Sequence, residues 1–217
     1  MKLRRPILLA LILLFVGASA YAAADIRQIV EVEKAQTFVF HCDDDYTFVA
    51  QIEGGSAWLF LPADTLELAQ VSADTFRKGN LLFQIDGQLC LLKEGDGISR
   101  QCKNNRREAI WEHAKLNGAD FRAIGNEPGW NLEIHGGSKA ILVTGYGSKR
   151  YEINLLPPQV NREVKTTVFT SSTGEPRVTL KIMGEHCSDT MSGEQFETTV
   201  EVDLDGKILR GCGRALH

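Results

Sequence analysis

The sequence predicts a mainly all-β protein, two small antiparallel β-barrel-like modules joined by one short helix. Three observations carry this reading. Short apolar runs separated by glycine-centred turns fill residues 37–102, the spacing expected of sandwiches and barrels. The charged segment from Lys103 to Lys115 interrupts them, and similar runs then resume to the C-terminus. The expected boundaries are 1–24 for a leader, 25–103 for the first module, 104–119 for the connecting helix and 120–217 for the second module.

The leader comes first. Lys2, Arg4 and Arg5 precede an apolar run from Ile7 to Val16, and the small-residue stretch from Gly17 to Ala24 follows. That order predicts a secretory signal peptide cleaved after Ala20, Ala22 or Ala24. The run is about ten residues long, against roughly twenty needed to cross a bilayer, so no membrane span is expected. The first cysteine is Cys42, which leaves none at the cleavage point to carry a lipid. The expectation is a soluble, non-lipidated protein of the Gram-negative periplasm.

Charge narrows the partners. The chain has 24 Lys+Arg against 28 Asp+Glu, a net of -4; loss of Lys2, Arg4 and Arg5 leaves 21 against 28, or about -7. Nucleic acid needs clustered cations and is not an expected partner. A basic protein would be drawn in by the opposite field, although a modest negative charge also serves solubility alone.

Turn chemistry places the strands. Leu81 to Ile85 leads through Asp86-Gly87 into Gln88 to Leu92, Val200 to Leu204 through Asp205-Gly206 into Lys207 to Leu209, and Leu132 to His135 through Gly136-Gly137 into Lys139 to Thr144. Each is expected to be a two-residue hairpin, since these pairs tolerate positive φ. Thr199 to Leu204 alternates polar and apolar residues, as a half-buried strand should. The helix is expected over 107–116, ending at Asn117-Gly118, with Ile110, Trp111 and Ala114 near one packed face.

Export makes disulfides expected. Of Cys42, Cys90, Cys102, Cys187 and Cys212, the positions suggest one bridge per half, Cys42 to Cys102 and Cys187 to Cys212. Cys90, inside the apolar run Leu89 to Leu92, is the candidate free thiol; a Cys90–Cys102 pairing across adjacent strands is the main competitor.

In the first module, Phe40-His41-Cys42-Asp43-Asp44, Ala57-Trp58-Leu59-Phe60-Leu61, Val71 to Phe76, Gly79-Asn80, Phe83, Asp86-Gly87 and Gln101-Cys102 together resemble the membrane-bound lysozyme inhibitors of c-type lysozyme. That family implies a small periplasmic β-barrel that blocks lysozyme with an S-G-x-x-Y loop and a lysine-glycine turn aimed at its catalytic carboxylates. Ser72 falls at the serine, Ala73 at the glycine, Thr75 just before the aromatic position and Phe76 at the tyrosine. Asp86 stands where the family carries lysine, and an aspartate is repelled by lysozyme's acidic residues. The resemblance implies a partner-binding set of Ser72, Ala73, Thr75, Phe76 and Asp86, with a c-type lysozyme as partner. The alternative is a barrel that binds a small molecule or an envelope component, with the first module purely structural.

In the second module, Gly125-Asn126-Glu127-Pro128-Gly129-Trp130 and Cys187-Ser188-Asp189-Thr190-Met191-Ser192, with Leu209 to Arg214 closing the chain, resemble a family of bacterial envelope proteins and lipoproteins that share G-N-E-P-x-W and C-x-D-x-M-S motifs. No activity follows from that resemblance. Glu127 and Asp189 suggest a glycosidase-like carboxylate pair, but acidic residues beside Pro-Gly and Ser-Gly also serve as turn formers. His186-Cys187 suggests a metal-ligand pair, but a Cys187 tied to Cys212 leaves an ordinary histidine, and His41-Cys42-Asp43-Asp44-Asp45 lacks the spacing of a calcium loop and reads as a solvated acidic turn. Ser72, Ser188 and Ser192 lack a nucleophile-elbow context. Trp130 and Met191 are expected in the core. No catalytic residue, metal or cofactor is expected.

Overall fold

The computed structural model describes residues 35–217; the expected leader lies outside them. Eight strands come first: β1 (Gln36–Cys42), β2 (Thr47–Glu53), β3 (Ser56–Phe60), β4 (Thr65–Ser72), β5 (Thr75–Lys78), β6 (Leu81–Asp86), β7 (Leu89–Glu94) and β8 (Ile98–Asn104). Each pairs antiparallel with the next, and β8 returns to β1 to close a barrel. Inward positions carry Phe40, Phe48, Leu59, Leu68, Phe83 and Leu92, all almost wholly buried. Phe83 meets the rings of Phe40 and Phe48 edge-on at centroid distances of 5.8 and 6.0 Å, a favoured aromatic geometry. The interior of this small barrel is thus filled by side chains.

The barrel seam is covalently fixed. Cys42 and Cys102 face each other where β1 pairs with β8 and form a disulfide. Cys90 is cross-strand neighbour to the same Cys102 on the other side; it is free and buried. Burial pushes its thiol up to about 12, so it stays protonated and behaves as a small apolar side chain.

Helix α1 (Arg106–Leu116) follows. The Asn105 side chain caps it by accepting from the N–H groups of Arg107 and Glu108 at 3.2 and 3.3 Å, satisfying two donors that no helical carbonyl can reach. Its buried face is Ala109, Trp111 and Ala114. Ile110, expected on that face, is 52% exposed, because one residue of rotation puts the small Ala109 against its neighbours instead. His41 Nε2 lies 2.8 Å from Glu108 Oε2 and Thr37 Oγ1 lies 2.9 Å from His113 Nδ1, so β1 holds the helix at two points.

The remaining strands are β9 (Phe121–Asn126), β10 (Gly129–His135), β11 (Lys139–Thr144), β12 (Lys149–Asn154), β13 (Gln159–Asn161), β14 (Thr166–Thr170), β15 (Val178–Met183), β16 (Cys187–Ser188), β17 (Gln195–Phe196), β18 (Thr198–Leu204) and β19 (Lys207–Ala215). Nine of them form one antiparallel sheet in the order β12-β11-β10-β9-β19-β18-β15-β14-β13, while β16 and β17 pair separately. The large sheet curls into a half-barrel. The edge strand β12 comes back to the end of β14, where Leu156 N–H donates to Thr170 O and Ser172 N–H to Asn154 O. Its inner face buries Leu132, Leu142, Leu180, Val200, Val202 and Leu209 around Trp130.

Two of the three expected turns differ in detail. Leu204 pairs with Lys207 across Asp205-Gly206, both at positive φ, as expected of a type I′ turn. Asp86, however, pairs with Leu89, so the central residues are Gly87-Gln88 and only Gly87 has positive φ. Asp86 therefore ends a strand, in the pattern of a II′ turn. His135 pairs with Lys139, which makes the third loop Gly136-Gly137-Ser138, one residue longer than expected.

Candidate functional site

The residues singled out in the first module gather at one end of the barrel. Ser72 pairs with Thr75 across Ala73-Asp74, and a bulge at Val71 interrupts the β4–β5 ladder. The bulge is braced by Gln70, whose side-chain amide donates to Ala73 O at 2.9 Å. Ser72, Ala73 and Asp74 are exposed and Thr75 is half-buried. The β6–β7 turn lies directly alongside: Thr75 pairs with Gln84 and Ile85 N–H donates to Asp74 O at 2.9 Å. The Ser72 loop and the Asp86 turn thus form one tip, on which Val71 and Leu89 also stand exposed. Phe76 does not belong to its surface. It is 2% exposed, because it follows Thr75 by one residue and points to the other face of the strand, into the barrel core. An open cleft of about 480 Å³ is lined by Asp43, Asp86, Leu89 and Lys103.

The acidic turn between β1 and β2 is bound structurally. Arg100 donates to Asp44 Oδ2 at 2.8 Å and to Glu94 Oε1 at 2.7 Å, with its guanidinium 4.1 Å from the Tyr46 ring centroid. Among the described residues, no three His, Cys, Asp or Glu side chains gather as a metal site would require.

The two second-module motifs meet. Cys187–Cys212 ties the β16–β17 hairpin onto the outer face of β19, beside Trp111, Phe196 and Ile124. Asp189 folds the hairpin loop: its Oδ1 accepts from the N–H groups of Met191 and Ser192 at 3.0 and 2.6 Å. Its Oδ2 accepts from Asn126 Nδ2 at 2.9 Å, which joins one motif to the other. Burial raises the Asp189 pKa, but the Ser192, Asn126 and Met191 hydrogen bonds outweigh it and hold the carboxyl below its ordinary range. Glu127 and Asp189 do line one cleft, of about 260 Å³. An ionised Asp189 with both oxygens engaged is not a proton donor at neutral pH; the turn-forming role is the one its geometry serves.

Trp130 explains the glycines of these motifs. A Cβ at Gly125 would collide with its indole nitrogen, and one at Gly211 with the ring and with Ile124 O. Its Nε1 donates to Arg210 O at 3.3 Å. Trp130 is in the core as expected, whereas Met191 is 79% exposed, since Asp189 draws the loop backbone inward and turns that side chain out.

Sequence reading missed a further cluster. Arg122 is 8% exposed and bonded to Glu133, and its guanidinium lies 5.7 Å from the Trp111 ring centroid. No local signal marked it, since a charge alternating with Phe121 and Ala123 on β9 reads as an ordinary solvated outer face. Tyr146, at φ +56 between Gly145 and Gly147, is 83% exposed, packs against Gly129 and donates to Asn126 O at 3.3 Å. An aromatic flanked by glycines was its signal. Among the described residues no helix is long and apolar enough to cross a membrane. Scanned against models of known protein families and searched against curated proteins, the chain finds no match in either comparison.

Proposed function

We propose that the protein is an exported, periplasmic binding protein whose barrel tip docks onto a basic protein partner, and that this partner is a c-type lysozyme, inhibited by insertion of the tip into its active site. The observation that carries the reading is the adjacency of the Ser72 loop and the Asp86 turn, joined by the Ile85–Asp74 hydrogen bond. A two-turn tip is the shape that can enter a cleft. Exposed Val71 and Leu89 supply apolar contact, and Asp74 and Asp86 with the chain's negative balance favour encounter with a cationic surface. The sequence reading of the leader agrees with such a role.

Asp86 sets the strength. A carboxylate facing lysozyme's acidic pair opposes docking, so inhibition by the natural chain is weak and Asp86→Lys strengthens it by at least about tenfold, or ~1.4 kcal/mol. The test is inhibition of a c-type lysozyme by residues 25–217 at low and moderate salt. Ser72→Arg, which fills the tip, abolishes inhibition and leaves thermal unfolding unchanged. Absence of binding by both the natural chain and Asp86→Lys overturns the proposal.

A further inference from the structure

The outer face of β9 and β10 and the exposed side of α1 enclose a trough that is separate from the barrel tip. Two open clefts make it up, of about 460 and 540 Å³, and they share Ile110, Arg122 and Asn131. Each is in the size range of a small-molecule site. At one end the trough reaches Tyr146, Met191 and Asp189; at the other it reaches Arg106 and Thr37. Both second-module motifs therefore contribute to its wall, through Asn126 and through Asp189, Met191 and Ser192.

We propose that this trough is a binding site for a ligand that carries a carboxylate beside an apolar group. The wall carries three arginines, Arg106, Arg107 and Arg122, against three carboxylates, Glu133, Asp189 and Glu194, so its formal charges balance while its arginines are unevenly partnered. Arg122 is more than nine-tenths buried and bonds Glu133 through one terminal nitrogen, yet its Nε has no hydrogen-bond partner. Leaving a buried guanidinium N–H unpaired is costly. Arg107 lines one cleft and Arg106 the other, and among the described residues neither side chain pairs with a carboxylate. The acids nearby are already engaged: Glu133 with Arg122, Glu194 with Arg214 at 3.7 Å, and Asp189 with Asn126 and the loop N–H groups. Arginines are suited to gripping carboxylates through two parallel hydrogen bonds.

The apolar half of the ligand is specified by the rim. Tyr146, Met191 and Ile110 are all large, exposed and on the wall of one cleft. Tyr146 is held there at a backbone angle that tyrosine rarely adopts, and such strain gathers at functional sites. A ring standing open beside a thioether accepts either an aliphatic side chain or the C–H face of a sugar. Peptide acids and sugar acids both combine these features with a carboxylate, and the experiment separates them.

The probes are acetyl-Ala-Leu-Leu as the free acid and as the amide, and a glucuronic acid disaccharide with its methyl ester, each titrated calorimetrically into residues 25–217 at low salt. The expected result is that at least one acid binds, and does so at least about tenfold tighter than its neutral counterpart. The peptide or the sugar pair that shows the difference identifies the source. Arg107→Gln, on the exposed helix surface, weakens that binding about three- to tenfold and Tyr146→Ala does the same, with unfolding midpoints unchanged for Arg107→Gln. Equal binding of acid and neutral forms, or no binding up to about 10 mM, overturns the proposal. Because the tip residues are untouched, lysozyme inhibition by Arg107→Gln matches that of the natural chain, so failure here is distinguishable from failure of the tip reading.

Discussion

Asp189 illustrates how much one side chain does when three hydrogen bonds converge on it. Its folded pKa is depressed despite burial, so between the folded and unfolded values the unfolded chain binds more protons, and stability rises with pH. The contribution is complete above the ordinary carboxylate pKa of 3.8 and is lost as pH falls through the lower folded value. Asp189→Ala is expected to cost about 1–3 kcal/mol at pH 7, read by urea unfolding, with the difference from the natural chain narrowing once the pH is taken below 3.8. The motif that contains Asp189 was legible as a phrase in the sequence. Its meaning was not, because Asn126 lies 63 positions away and no local pattern announces that partner. The same holds for Arg122, whose covering helix is set by tertiary packing. Phe76 was placed at the right loop on the wrong face, since a one-residue step in a strand reverses the side chain's direction.

Among elements, α1 carries the connection between the barrel and the half-barrel sheet. Its buried face is small, Ala109, Trp111 and Ala114, and Trp111 supplies most of that area. Arg214 lies over the Trp111 ring at 4.4 Å to the centroid, adding a cation–π contact. With so narrow a face, the end cap matters. Asn105→Ala removes the acceptor for two N–H groups and should lower stability by about 1 kcal/mol, measured as a shift in the unfolding midpoint at constant m-value. The helix and its stop at Asn117-Gly118 were legible from the sequence because capping and composition act locally. Its rotation was not: Ile110 and Ala109 exchange roles according to what β1 and β9 present. Hairpin loops behaved likewise, with Asp205-Gly206 read correctly and Asp86 displaced by one residue, since a turn signal fixes a hairpin's existence better than its register.

At the scale of the whole molecule, the two disulfides act on different kinds of closure. Cys42–Cys102 spans 60 residues and locks the barrel seam; Cys187–Cys212 spans 25 and fastens a hairpin onto a sheet that is already formed. Chain entropy alone assigns them about 4 and about 3.5 kcal/mol. The seam bridge also defends the β1–β8 pairing, so Cys42→Ser/Cys102→Ser is expected to lower the thermal midpoint more than Cys187→Ser/Cys212→Ser, by differential scanning calorimetry. The all-β architecture and both bridges were readable from the sequence, because short runs, turns and cysteine positions are repeated signals. The curling of nine strands into one half-barrel was not, since it depends on how β12 and β14 meet after the chain has passed through both edges.

The row of cysteines across β1, β8 and β7 has a consequence for how the chain matures. Cys102 has a cysteine neighbour on each side, so oxidation offers it two choices. Joining Cys90 would fasten two strands already linked by their own hairpin and leave the seam to three residue pairs. Joining Cys42 closes the cylinder and strands Cys90 inside, where burial keeps it a thiol. A nascent chain that oxidises early, before β1 has docked, meets the wrong neighbour first. The native bridge therefore calls for an order of events, with the β1–β8 contact in place before Cys102 is oxidised.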